Sequence, residues 1–326
     1  MPGPGLFWRP LPGPFFGSIV DRAILAVGGS YFVGRVFVEL LERRGIKVFV
    51  LNRGTRPFNR PAIHEIPCDR RDARLLAEAL APFCFDAVVD FCAYSKDDVN
   101  PLLEALGPDR AAHYIQISSC SVYAPTKDIP VAEDARKLSG PQPELGPAAD
   151  YGFNKWLAEY AASAWGMRRG VPVSILRPTI VYGPHNYAPR ESWFFETVSS
   201  GRPLILPAGD LPLFSFVFVE DVAEAVYACI HNRASWNRAY NLAGPELVSY
   251  GRYAQVLERV MGRKIDIQHL PVERIDAMRV PLPFPLDSHL VYSGEAVTKE
   301  LNFSYTPFNQ GMERTWQCYR EAQKPK

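Results

Sequence analysis

The chain has 326 residues, with 36 Lys or Arg, 35 Asp or Glu and a formal net charge of +1. So even a balance provides no broad field toward nucleic acid or an anionic membrane, and neither is expected as the main partner. A hydrophobic fraction of 47% and this length suit one large globular domain or two closely joined ones.

Residues 1–22 begin Met-Pro-Gly-Pro-Gly, and their prolines exclude the apolar helical core of a signal peptide. A loosely ordered extension is expected there. Ala23 to Val27 is a short apolar run ending at Gly28, the pattern of a buried strand. Val33 to Arg44 has helical spacing, with Val36, Leu40 and Leu41 on one side and Gly45 as a stop. A strand is predicted over Lys47 to Leu51, and a third precedes Pro67. A helix follows from Asp72 to Leu80, a buried strand from Phe85 to Phe91, a helix around Val99 to Leu106 and a strand from His113 to Ile117. Residues 124–149 are rich in Pro, Gly, Asp and Glu and read as a long surface loop of the kind that often forms a lid. Tyr151 to Gly166 is helical and Pro172 to Leu176 a strand.

Alternation of this sort implies an α/β fold, a Rossmann-type doubly wound parallel sheet with helices on both faces. After Arg177 the pattern loosens until a strand ending at Val219 and a helix from Asp221 to Ile230; residues 244–318 are less regular. The expected division is a dinucleotide-binding domain over 23–178 and 215–243, with a smaller C-terminal substrate-binding lobe over 179–214 and 244–318. The six cysteines are far apart and form no Cys-x-x-Cys pair, so free thiols are expected and a metal site is not. No apolar run reaches the roughly 18 residues of a membrane helix.

Candidate chemistry lies at four places. The first is Gly28-Gly29-Ser30-Tyr31-Phe32-Val33-Gly34, between a strand and a helix. There, free backbone N–H groups and the helix dipole can hold a pyrophosphate, and glycine permits close approach. An ordinary tight turn is the alternative. The second is Asn52-Arg53, at the end of the second strand, where a site for NAD usually has an acid. Arg53 can instead fork onto a 2′-phosphate, or be a solvated arginine. Asp69, followed by Arg70, can meet an adenine amino group or cap the helix near Asp72. The third is Tyr151 with Lys155, downstream of Ser118-Ser119-Cys120-Ser121-Val122-Tyr123. Residues i and i+4 share a helix face, so the ammonium can lower the phenol pKa and prepare it for proton transfer. Exposed Tyr–Lys helix pairs are also common. The fourth is His185, Tyr187 and Arg190, in a loop after a strand end, as substrate contacts.

The order of these signals resembles the extended short-chain dehydrogenase/reductase superfamily of NAD(P)-dependent epimerases and dehydratases, over roughly 23–318. It is most similar to an atypical branch with Gly-Gly-Thr-Arg-Phe-Ile-Gly and Asn-Arg-Gly motifs; here these read Gly28 to Gly34 and Asn52-Arg53-Gly54. The resemblance implies that Tyr151 is the catalytic acid/base and that Lys155 lowers its pKa and holds the nicotinamide ribose. Ser119 bonds the substrate hydroxyl. Phe91, Cys92 and Ala93 line the cofactor. Ser118, Pro178 and Ile180 are assigned to the cofactor site as well, and Ser121 to the substrate. Leu176-Arg177-Pro178 and Tyr182-Gly183-Pro184 match the strand-to-substrate-loop region, and Phe218 to Val222 the helix that returns to the first domain.

Two departures stand out. Tyr31 replaces the middle glycine of Gly-x-x-Gly-x-x-Gly, and Phe214 stands where nucleotide-sugar members commonly carry a diphosphate-binding arginine. The implied protein is a cytoplasmic epimerase or oxidoreductase using NADP, with NAD as the alternative cofactor, on a sugar-like or nucleotide-sugar substrate. A homodimer through the helices at 99–106 and 151–166 is implied too, with Leu102, Leu103, Leu106, Trp156 and Tyr160 as apolar contacts. The competing reading is a non-catalytic dinucleotide sensor or an RNA-associated protein.

Overall fold

The computed structural model describes residues 23–324, so the expected extension at 1–22 lies outside the described residues. The first half alternates: β1 (Ala23–Val27), α1 (Phe32–Arg43), β2 (Lys47–Asn52), β3 (Ile63–Pro67), α2 (Ala73–Leu80), β4 (Ala87–Asp90), α3 (Lys96–Leu106), β5 (Tyr114–Ile117), α4 (Tyr151–Arg169) and β6 (Val173–Pro178). The second half carries β7 (Ile180–Tyr182), α5 (Glu191–Ser199), β8 (Leu204–Pro207), β9 (Phe214–Phe218), α6 (Val219–Cys229), β10 (Arg238–Leu242), β11 (Leu247–Val248), α7 (Tyr250–Met261), β12 (Ile267–Leu270), α8 (Val272–Met278), α9 (Glu295–Leu301) and α10 (Phe308–Ala322).

Seven strands form one parallel sheet in the order β3-β2-β1-β4-β5-β6-β10. Its central strands are apolar runs because both faces are covered: Leu25, Ala26, Val48, Val50, Val88 and Val89 are fully buried. One face packs with α1 and α6, the other with α2, α3 and α4. Strand order reverses between β1 and β4, which puts a crevice for ligands outside their carboxyl ends. Local chemistry sets the helix starts. Ser95 and Asp98 form a capping box on α3. Asp72 caps α2 by accepting from the Leu75 N–H at 3.0 Å, so Asp69 does not have that role.

The other strands build two small sheets, β7-β9-β11 and β8-β12. β9 thus belongs to the small assembly, and the chain returns to the large sheet only with α6 and β10. An aromatic core of Phe194, Phe214, Phe216, Tyr253, Phe284 and Phe308 holds this region together. The stretch expected to be irregular, 244–318, contains four helices. Two of them start directly after Pro271 and Pro307, residues that read as breakers in sequence.

The loop at 124–149 does not hang free as a lid. It is pinned by bridges from Tyr123 to Lys137 and from Val131 to Tyr292. Asn241 donates to the Val131 carbonyl at 3.1 Å, and Arg177 to the Glu133 carbonyl at 3.2 Å. Leu102, Leu103 and Leu106 are buried against the sheet and therefore unavailable to a dimer; of its apolar and aromatic side chains α4 leaves Tyr151, Tyr160 and Met167 exposed. Among the described residues no helix is long and apolar enough to cross a membrane, and no group of acidic, His or Cys side chains could hold a metal. All six cysteines are free, with Cys84 exposed.

Candidate active site

The glycine turn lies at the carboxyl end of β1. Gly28 has φ +79°, and a Cβ there would lie 1.9 Å from the Cys92 sulfur. One on Gly34 would come within 2.8 Å of the Gly28 carbonyl oxygen. These close approaches pack α1, the turn and the end of β4 together. The first turn of α1 has no side-chain cap and no acidic residue, so its backbone donors and positive dipole end face the crevice. Asn52 donates to the Ser30 hydroxyl at 2.8 Å and accepts from the Gly54 N–H at 2.6 Å, tying the end of β2 to the turn. Ser118, at the end of β5, is buried with its hydroxyl lacking a hydrogen-bond partner. A glycine turn packed tightly onto the end of β4, uncapped helix donors and an orphaned buried hydroxyl together fit a dinucleotide.

On β5 and α4 the acid/base candidates converge. Ser119 begins a short 3₁₀ turn at Cys120–Val122 and accepts from the Ser121 N–H at 3.1 Å. α4 rests on that turn so closely that a Cβ at Gly152 would lie 2.2 Å from the Ser121 carbonyl oxygen. This contact brings Tyr151 beside Ser119. Burial pushes the Tyr151 phenol above its ordinary pKa, and the Ser119 hydroxyl and Arg190 act against the rise. Lys155 is 2% exposed. It donates to the Ile117 carbonyl at 3.0 Å and lies 4.7 Å from the centre of the Tyr94 ring. Burial lowers its pKa to about 8, opposed by Asp90, Cys92 and Glu159. The expected depression of Tyr151 by Lys155 is therefore not what the structure has. The ammonium is turned to Ile117 and Tyr94, and at Tyr151, which is still 41% exposed, partial burial outweighs Ser119 and Arg190.

The family model for the NAD dependent epimerase/dehydratase family matches residues 24–243, from β1 just past β10. The chain belongs to this family. It is 25% identical over 257 residues to the chloroplast stem-loop binding protein of 41 kDa b of Arabidopsis thaliana, covering 74% of this chain and 64% of that protein. It is 26% identical over 245 residues to the dTDP-glucose 4,6-dehydratase of Streptomyces niveus, covering 65% and 64%. The chain thus spans a little under two thirds of the length of these relatives. Among solved structures, the UDP-glucose 4-epimerase of Thermotoga maritima with UDP-glucose superposes with a TM-score of 0.76 at 17% identity, over 93% of this chain and 100% of that one. The UDP-glucuronic acid 4-epimerase of Bacillus cereus in complex with NAD gives 0.72 at 19% identity, over 92% and 96%. At such identities the likeness is one of fold.

Within that family fold, several expected residues have other work. Arg70 forks onto the buried Asp90 at 2.7 and 2.6 Å and donates to the Asp98 carbonyl at 2.9 Å, leaving no fork for a phosphate. Its partner Asp90 is held ionised. Burial pushes that carboxyl upward, but Arg70, Tyr114 and the Cys92 N–H outweigh it. Asp69 is half-buried, and its carboxylate accepts from the Arg71 N–H and guanidinium, with Arg53 near enough to act on its charge. Ala93 is wholly buried in the core, while Phe91 packs on Phe37 at 5.5 Å and Cys92 lies under Gly28, its thiol pushed up to about 11 by burial and Asp90. Val33 and Ile180 are partly buried against the core, and Pro178 is buried at the end of β6. His185 lies 3.8 Å from Glu39 of α1 rather than near Tyr151, its pKa lowered by burial. Tyr187 and Arg190 are close enough to Tyr151 to act on its charge.

Three contributors escaped the sequence reading. Tyr94 covers Lys155, Gly152 seats α4, and Arg56 lies over the Tyr31 ring at 4.3 Å. Each acts through a contact with a segment distant in sequence, which local pattern does not show.

Proposed function

We propose that the protein is an NAD(P)-dependent epimerase or oxidoreductase that exchanges hydroxyl and carbonyl on a sugar-like substrate, with Tyr151 as the acid/base. The observation that carries this reading is the convergence of Ser119 and Tyr151 beside a buried Lys155, next to a cradle that fits a dinucleotide. The cofactor would be held by the turn from Gly28 to Gly34, by Ser118 and by Lys155, and when bound it supplies a hydride acceptor or donor. Ser119 orients the substrate oxygen. Tyr151 gives a proton to that oxygen or takes one from it. Arg53, exposed and without a hydrogen-bond partner among the described residues, supports a preference for NADP. A nucleotide-sugar substrate finds support in the dTDP-glucose dehydratase and UDP-sugar epimerases among the relatives and structural neighbours.

A second reading is favoured by the stem-loop binding named for the Arabidopsis relative. It would leave the dinucleotide site as a sensor. Against it stand the near-zero net charge and the presence of Ser119, Tyr151 and Lys155. Mass analysis of the nucleotide that accompanies the purified protein, followed by a carbonyl and sugar panel, separates the two. Tyr151→Phe should keep cofactor affinity and cut turnover by ~10²–10⁴, the scale of acid/base loss. Equal turnover in the variant and the parent would end the acid/base assignment. Bound cofactor with no turnover on any substrate would favour the sensor.

A further inference from the structure

Tyr31 occupies the position at which a dinucleotide turn commonly has glycine, yet its ring does not fill the cradle. It is 44% exposed, and the Arg56 guanidinium lies over it at 4.3 Å. Tyr187 meets the same ring edge-on at 6.3 Å and Phe32 at 6.1 Å, so the substrate loop reaches the turn here.

The surrounding cations are committed elsewhere. Arg35 pairs with Glu39 at 3.1 Å, Arg60 with Glu42 at 2.5 Å and Arg71 with Asp69 at 3.2 Å. Arg56 and Arg53 differ: both are exposed, and neither has an ion pair or hydrogen bond among the described residues. They stand three apart in the segment that follows β2, whose end is tied to Ser30 through Asn52. Arg56 is thus held at the turn by the Tyr31 ring with no carboxylate bonded to it, while Arg53, three residues earlier, lies near enough to Asp69 to lower that carboxyl's pKa. A guanidinium that rests on an aromatic ring rather than on a carboxylate keeps N–H groups free for a phosphate.

We propose that Arg56, held in place by the Tyr31 ring, is a second phosphate ligand that joins Arg53 in gripping the 2′-phosphate monoester of NADP. The proposal rests on the dinucleotide reading above and deepens it. It also gives the departure at position 31 a purpose, since a side chain there carries a cation to the phosphate. Tyr31 is a positioning residue, and Arg56 is the ligand.

The test is calorimetric titration of the purified chain with NADP, NAD, 2′,5′-ADP and 5′-AMP. Arg56→Ala should weaken NADP and 2′,5′-ADP by about tenfold and leave NAD and 5′-AMP within about twofold, as expected for one charge-assisted contact. Tyr31→Leu should reproduce that loss, and Tyr31→Phe, which keeps the ring, should restore parental affinity. Both positions are exposed, and thermal melting checks that each variant is folded. NADP affinity unchanged by Arg56→Ala, or an equal loss for NAD, overturns the proposal. A parent that prefers NAD overturns the phosphate assignment and leaves the dinucleotide reading standing. A parent that binds neither nucleotide overturns both. Stem-loop RNA binding that Arg56→Ala abolishes while NADP affinity holds would assign the arginine to RNA and also overturn it.

Discussion

Lys155 and Tyr151 show how far burial alone redirects chemistry. Their spacing places them on one helix and was plain in the sequence, but the energetics at each was not. A lysine in the unfolded chain titrates at about 10.4. In the folded protein, burial brings Lys155 down to about 8, and Asp90, Cys92 and Glu159 limit the fall. Between these two values the unfolded chain binds more protons, so this group makes stability rise with pH across the window. Below pH 8 both states are charged and the penalty of the buried cation is complete. Competitive acetylation followed by mass spectrometry should show Lys155 titrating near 8, well below surface lysines. A midpoint at 10 or above would show that the ammonium is not desolvated as its 2% exposure indicates. Tyr151 moves the other way, so at neutral pH its phenol is protonated. That state suits proton donation to a carbonyl, and the reverse reaction, alcohol oxidation, should quicken as pH rises.

At the scale of elements, the seating of α4 decides whether these groups meet. Gly152 looks like filler between Tyr151 and Lys155, because helical periodicity cannot reveal which distant backbone a residue will touch. In the structure its missing Cβ leaves room for the Ser121 carbonyl oxygen, which would lie 2.2 Å away, and for the Leu138 methyl at 2.8 Å. Carbonyl and helix are both backbone and cannot yield cheaply. Gly152→Ala should therefore cost about 1–3 kcal/mol, the usual penalty of overpacking, and lower the urea midpoint. It should also separate Tyr151 from Ser119 and reduce turnover beyond what the stability loss explains. A variant with parental stability and activity would show that the turn at Cys120–Val122 gives way freely. Elements with strong local signals were legible: β1 has the expected bounds, and α1 starts one residue before them and ends one residue short. The loop at 124–149 was legible as a loop, but its anchoring was not. Arg177, Asn241 and Tyr292 hold it from positions far along the chain.

Across the whole molecule, the parallel sheet could be read from alternation, while its strand order, the small sheets and the last four helices could not. Their strands are short, two of their helices begin at prolines, and an aromatic core assembled from distant segments holds them. That core also determines which reactions the site can support. Phe214, where a diphosphate-binding arginine would serve, is 1% exposed among Phe216, Tyr250 and Phe284. A cation for a diphosphate must come from elsewhere, and Arg190 beside Tyr151 is the candidate. Cys120, which follows Ser119, is likewise turned away from the crevice. Its thiol donates to the Arg177 carbonyl at 3.1 Å, and burial pushes its pKa well up. Arg177 belongs to a buried set with Glu159, at 2.7 Å, and Tyr123, at 2.9 Å, so position 120 serves the packing under the sheet end. Ser121 does face outward, but a hydroxyl cannot shuttle protons at neutral pH as a carboxylate does. Eliminating water across C5 and C6 of a hexose needs such groups beside the Tyr151 centre, and positions 120 and 121 do not supply them. Incubation with UDP-glucose or dTDP-glucose and either dinucleotide should therefore give no 4-keto-6-deoxy product, while epimerisation or simple carbonyl exchange remains open to Ser119 and Tyr151. Catalytic formation of that product would mean that acids from another segment reach the sugar.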